Sequence, residues 1–169
     1  EDPVEVVLPS IRQIKINKEI GYDFKDALKG VLRQDPDVIM VGEIRDRDTA
    51  DLAIQAALTG HLVLATIHAP SALEIIDRLK VLGISPSISI SIIQLLMAQK
   101  AVTIDGTKKI IFECIPLDNK LRSLFGYARP DHIAESVREA GVLLLRDHLM
   151  AYKDAGHISA EEFAKYIRS

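Results

Sequence analysis

The sequence predicts an α/β layered domain, a parallel sheet flanked by helices, continued by a β-hairpin and a helical tail. Three observations carry that prediction. Val38-Ile39-Met40-Val41 and Leu62 to Ile67 are short apolar runs without alternation, set among helical patterns, as buried parallel strands require. Asp105-Gly106 separates two β-branched runs, a strong hairpin signal. From Leu117 onward the apolar residues recur at helical spacing.

Taken in order, Val4 to Leu8 and Ile11 to Ile16 read as short strands, the second alternating isoleucine with polar residues. Asp23 is the expected N-cap of a helix over Phe24 to Arg33, with Phe24, Leu28, Val31 and Leu32 on one face and Pro36 beyond its end. After the strand at Val38, Asp48 or Thr49 starts a helix through Leu58, closed by Gly60. Ser71 with Glu74 forms a capping box for a helix ending at Gly83, and Ser85-Pro86 opens another. Ile88 to Ala98 reads as a buried helix, since serines and Gln94 interrupt its apolar run. Lys100 to Ile104 and Lys108 to Ile115 form the hairpin. Helices follow at Leu121 to Tyr127, Pro130 to Ala140, Leu143 to Ala155, and from Ser159, capped by Ser159 with Glu162. The expected domains are a core over 1–98, a hairpin over 99–116 and a helical subdomain over 117–169.

The chain has 169 residues, a formal net charge of −3 and one cysteine. The acidic balance argues against a nucleic-acid grip built on bulk positive charge. A single cysteine gives no disulfide framework and no cysteine metal site, and fits a reducing, cytoplasmic compartment. Cys114 reads as a small buried apolar residue. No apolar run approaches the roughly 20 residues of a membrane helix. The chain opens at Glu1-Asp2-Pro3, inside what reads as a functional segment, which suggests a piece of a longer protein.

Chemistry concentrates in three clusters at predicted strand ends, where parallel α/β sheets bind ligands. Glu1, Asp2 and Glu5 place carboxylates beside Pro3. They are either a solvated acidic loop or groups that need a cation or a proton relay. The second cluster runs from Leu32 through Asp37 and Val38 to Gly42-Glu43-Ile44-Arg45-Asp46. An acid at the tip of an apolar strand can hold magnesium, which needs hard oxygen ligands on a rigid support. Gly42 permits a close backbone approach. The third runs from Thr59-Gly60-His61 to Thr66-Ile67-His68-Ala69. His61 and His68 flank a strand of roughly 20 Å at ~3.3 Å per residue, too far apart to share one ion. His68 fits a hydrogen bond to phosphate. A satisfied, partly buried polar role stands beside that reading for either histidine.

In this order the clusters resemble the type II secretion and type IV pilus ATPases, a RecA-like branch of the P-loop motors. Glu1 to Glu5 resembles the family's Asp box, Leu32 to Asp46 its Walker B region and Thr59 to Ala69 its His box. The likeness continues through Ile54 to Leu58, Asp77-Arg78-Leu79 and Ala98-Gln99-Lys100. It implies a partial RecA-like core with ATP and Mg as cofactors. Glu1 would be the general base that orients water, supported by Asp2, Glu5 and Asp37. Glu43 would act on magnesium, through water, as the Walker B acid. His68 would contact the terminal phosphate, His61 and Thr66 would shape the His box, and Arg45 would hold the Walker B turn by an ion pair.

The resemblance further implies a homo-hexamer in the cytoplasm, peripheral to the inner membrane. Its partners would be secretion or pilus platform proteins, with no nucleic acid and membrane contact only through partners. No G-x-x-x-x-G-K-[ST] is present, so the phosphate loop is expected upstream of Glu1, and this chain alone is expected to bind ATP poorly. Asp105 to Lys109 stands where export and assembly members carry a four-cysteine loop. The expected function is therefore part of an ATPase motor. The alternative is an oligomerisation or docking module that has lost hydrolysis. The retained Glu1, Glu43 and His68 favour the enzyme.

Overall fold

The computed structural model describes residues 1–127 and 129–168. Contacts divide the chain into two units. The first comprises Glu1–His68 and Arg78–Ile92, the second Ala69–Asp77 and Ile93 onward.

The first unit holds α1 (Phe24–Leu32), β1 (Val38–Ile44), α2 (Arg47–Leu58), β2 (Leu62–Ile67) and α4 (Pro86–Ile92), while α3 (Ile75–Val81) begins in the second unit and ends in the first. Asp23 caps α1 as expected, its carboxylate accepting from the Asp26 amide at 3.0 Å. α2 is capped by Asp46 and starts at Arg47, just before the expected Asp48 or Thr49. Asp46 takes both the amide of Thr49 at 2.8 Å and its hydroxyl at 3.1 Å, which an aspartate three residues before a threonine is placed to do. Ala50, Ala53 and Ala56 are buried along α2, and these small side chains let the helix lie close to β1 and β2.

Three expectations about residues 1–92 are corrected. Val4 to Leu8 and Ile11 to Ile16 form no strands. Val6, Val7, Leu8 and Ile11 are exposed, and Ile16 alone of that second run is buried. β1 and β2 are not buried on both faces: Ile39 and Val41 are buried, whereas Val38 is 53% and Met40 66% exposed, and Leu62 and Leu64 are also exposed. The run is apolar on both sides, but the described residues cover only one. Ser71 and Glu74 do not cap a helix. Their side chains bond each other at 2.8 Å in a turn, and α3 starts at Ile75. Its end is as expected, at Gly83 with φ +87°.

The second unit contains β3 (Leu95–Ile104), β4 (Thr107–Pro116), α5 (Asn119–Tyr127), α6 (Pro130–Glu139), α7 (Leu145–Asp154) and α8 (Ala160–Arg168). The hairpin turn is as expected, with φ of 50° at Asp105 and 75° at Gly106, the pair of left-handed residues that a type I′ turn needs. Its first strand begins earlier than expected. Leu95 to Ala98 belong to β3 rather than to a helix, because β3 pairs with β4 out to Leu95–Pro116 and offers ten residues of period-two burial. Leu96, Val102, Ile104, Ile111 and Ile115 face inward, and α7 packs on both strands through Leu145 and Leu149. Cys114 falls on the opposite face, with Met97 and Phe112, and is exposed rather than buried.

Ser159 and Glu162 form the expected capping box of α8, at 2.8 and 3.1 Å. The start of α7 is secured differently. Its N-cap is Leu144, which has no side-chain acceptor; the Asp147 carboxylate accepts from the Leu144 amide at 3.1 Å and from Arg138 Nε at 2.9 Å. Burial raises the Asp147 pKa, but the Arg138 and Leu144 bonds outweigh it, and the carboxyl lies below its usual range. A depressed carboxyl pKa stabilises the fold above the unfolded value near 3.9 and loses that contribution as pH falls through the folded value. Asp147→Ala is therefore expected to lower stability by about 1–2 kcal/mol at pH 7. In urea titrations the gap to wild type should narrow as pH falls below the unfolded value near 3.9.

Candidate functional site

β1 and β2 pair in parallel, Val38 opposite Leu62 and Val41 opposite Ala65. Their carboxyl ends therefore lie together, carrying Glu43 and His68 to the same end of the sheet. The next pair is Ile44 with Ile67, so β1 uses one more residue than β2, and the irregularity falls at Gly42–Glu43. Ile39 and Val41 are the inward residues before it. Unbroken alternation would put Glu43 inward next; instead Ile44 takes the buried place. The Thr66 hydroxyl donates to the Gly42 carbonyl at this irregularity.

Glu43 has a side chain 19% exposed. One carboxylate oxygen meets Arg45 Nη2 at 2.5 Å, and the other lies 3.6 Å from Nε2 of His68, whose side chain is 86% exposed. The hydrogen bond and the charge of Glu43 raise the Arg45 pKa. Arg45 is mostly exposed, so the pair contributes little to stability and is open to replacement by another cation.

Glu1 lies against the same strand end. A Cβ built on Gly42 would stand 3.6 Å from the Glu1 Cα and 3.9 Å from Phe24. Those are ordinary contacts, so Gly42 brings the two segments near without glycine being sterically required. The Glu1 carbonyl accepts from the Ile16 amide at 2.9 Å and its carboxylate from Gln13 Nε2 at 2.8 Å. Gln13 thus orients the candidate base. Its position among the alternating isoleucines gave no sign of this. Asp2 pairs with Lys18 at 2.6 Å, and that bond holds its carboxyl below the usual range. Glu5 is exposed.

Asp37 and His61 are not brought to this end. The Asp37 carbonyl accepts from the Leu62 amide at 3.1 Å, at the start of both strands. His61 Nδ1 lies 3.0 Å from the Ala56 carbonyl and 3.1 Å from the Thr59 hydroxyl, closing the end of α2. Five residues of β1, Val38 to Gly42, separate Asp37 from Glu43, about 20 Å at ~3.3 Å per residue.

Beside Glu43 is an open depression of about 460 Å³ lined by Lys18, Lys25, Arg45 and Arg47. Each of these cations is already paired, with Asp2, Asp48, Glu43 and Asp51 respectively. No described group of three or more histidine, cysteine, aspartate or glutamate side chains could hold a metal. Glu43 nevertheless fits a magnesium nucleotide. It would offer one hard carboxylate oxygen at a strand end, the kind of ligand magnesium takes beside phosphate and water.

A family profile described as "Type II/IV secretion system protein" matches residues 1–151. Among curated proteins, the chain is 36% identical to the type II secretion system protein HxcR of Pseudomonas aeruginosa over 99% of its length and 41% of that protein's. It is 50% identical to the type IV pilus assembly ATPase PilB of the same species, over 59% of this chain and 18% of PilB. Among solved structures, the pilus retraction motor PilT with bound ADP matches with a TM-score of 0.80 at 29% identity, over 98% of this chain and 50% of PilT. The Legionella pneumophila ATPase DotB matches with a TM-score of 0.77 at 26% identity. The α/β fold is accordingly that of the RecA-like secretion ATPases, and the chain spans about half the length of the solved relatives.

If the Thr66 hydroxyl pins the strand irregularity, Thr66→Val should lower stability by about 0.5–1.5 kcal/mol, and Thr66→Ser should restore most of it. Equal urea midpoints for Val and wild type would remove that role.

Proposed function

Since the chain belongs to the type II/IV secretion system protein family, we propose that it is part of a magnesium-dependent ATPase. In this reading the intact protein is a homo-hexamer that couples ATP hydrolysis to type II secretion or type IV pilus assembly. The observation that carries the reading is the meeting of Glu43 and His68, 3.6 Å apart, at the carboxyl ends of two parallel strands, with Glu1 against the same strand end.

Glu43 and a nucleotide's phosphate oxygens would hold magnesium, which supplies neutralisation of the phosphate charge. Glu43 does this from a carboxylate whose position is fixed by the strand and, in the structure described, by Arg45. Glu1 accepts a proton from the attacking water and orients it, with its carboxylate held by Gln13. Asp2 and Glu5 follow the base in sequence and support it. Asp2, paired with Lys18, keeps local charge balanced. His68, with its side chain 86% exposed, hydrogen-bonds the terminal phosphate. Thr66 and Arg45 shape the strand end. Asp37 and His61 serve the framework at the other end of the sheet. No described helix is long and apolar enough to cross a membrane, and contact with the inner membrane would run through platform proteins on its cytoplasmic side. An acidic net charge of −3 is consistent with protein rather than nucleic-acid partners.

Two substitutions in the intact protein test the reading. Glu43→Gln should abolish magnesium-dependent hydrolysis. Glu1→Gln should lower kcat by about 10²–10⁴-fold while nucleotide binding is retained. An intact wild type without ATPase activity would favour a docking module instead.

A further inference from the structure

Among the described residues, Glu113 is the one buried carboxylate, 2% exposed on the inward face of β4 between Ile111 and Ile115. A carboxylate in such an apolar stripe is costly unless its oxygens are hydrogen-bonded. Both are. One oxygen accepts from the backbone amide of Ala72, and the other from the amide of Leu145 at 2.7 Å.

Each amide has a reason to need it. Leu145 opens α7, where the first amides have no partner within the helix, and the N-cap residue Leu144 has no side-chain acceptor. Glu113 thus caps α7 from the neighbouring strand, at the end where the helix dipole favours negative charge. Ala72 is fully buried, in an irregular stretch that offers its amide no regular ladder. That stretch begins immediately after His68, where the chain passes from the first unit to the second. Only Ala69, Pro70 and Ser71 separate His68 from the tethered amide.

We propose that Glu113 is a positioning residue for His68. It anchors the segment leaving β2 and the start of α7 to one carboxylate, so that displacement of His68 by a nucleotide phosphate is passed to α7. The proposal rests on the hydrolysis reading for its catalytic consequence, and on the two amide bonds alone for the tether. A glutamine at 113 keeps the shape but offers one acceptor and one donor to two donors, so one of the bonds is lost.

The test is Glu113→Gln in the intact protein, with amide exchange and steady-state kinetics measured together. Exchange should quicken both at residues 69–74 and at 144–148. kcat should fall about tenfold, with KM for ATP within a factor of two. Added nucleotide should no longer change exchange at 144–148. Where Gln impairs solubility, Glu113→Met asks for no partner and is read the same way. Quickened exchange at only one segment would overturn the tether. Quickened exchange at both with unchanged kcat would reduce Glu113 to a structural role. A wild type without hydrolysis would overturn the functional reading and the catalytic role with it, while the exchange comparison still decides the tether.

Discussion

Parallel pairing of Val38–Val41 with Leu62–Ala65 fixes the direction of the candidate site, and the extra residue at Gly42–Glu43 fixes what it presents. Parallel strands gather their carboxyl ends, so the residues after two separate apolar runs become neighbours although 24 positions separate Gly42 from its hydrogen-bond partner Thr66. The extra residue then changes the alternation. Ile44 takes the inward place, and Glu43 stands at the strand end between Arg45 and His68. Packing of the small face of α2 onto these strands holds the pair in place, and the Asp46 cap fixes where that helix begins.

The second unit solves a different problem. Its hairpin is a two-stranded sheet, which is not stable without a covering layer. α7 supplies that layer over Val102, Ile104 and Ile111, and α8 adds Phe163 and Tyr166. The Tyr166 hydroxyl accepts from the Thr103 amide at 2.8 Å, tying the last helix to β3. Both sheets keep an apolar face exposed among the described residues: Val38, Met40, Leu62 and Leu64 in one, Leu95, Met97, Ile110 and Phe112 in the other.

Much of this was legible in the sequence because it is local. The Asp23 cap, the Asp105-Gly106 turn and the Ser159–Glu162 box depend on residues within three or four positions of one another. Glu43 and His68 were legible as strand-end residues because an apolar run sets the strand and its direction. What sequence did not reveal is set by distant partners. An apolar run has no mark for which face will be covered, so β1 and β2 read as doubly buried. Leu95 to Ala98 suits a helix until a long antiparallel partner is available. Gln13 on Glu1, the irregularity after Val41, and Glu113 between two amides involve pairings with no short-range signature. His61 and Asp37 belong to the motifs by resemblance, yet strand direction puts them at the far end of the sheet.

Under the proposed function, one end of the β1–β2 pair faces the magnesium nucleotide and the other does not. Manganese in place of magnesium reads this directly, since its paramagnetic broadening fades steeply with distance. In the intact protein with ATP and manganese, the methyl resonances of Ile44 and Ile67 should vanish, while those of Val38 and Leu62, about 20 Å away along the strands, persist. Equal broadening at both ends, or loss at Val38 and Leu62 alone, would contradict the assignment of Glu43 and His68 to the nucleotide.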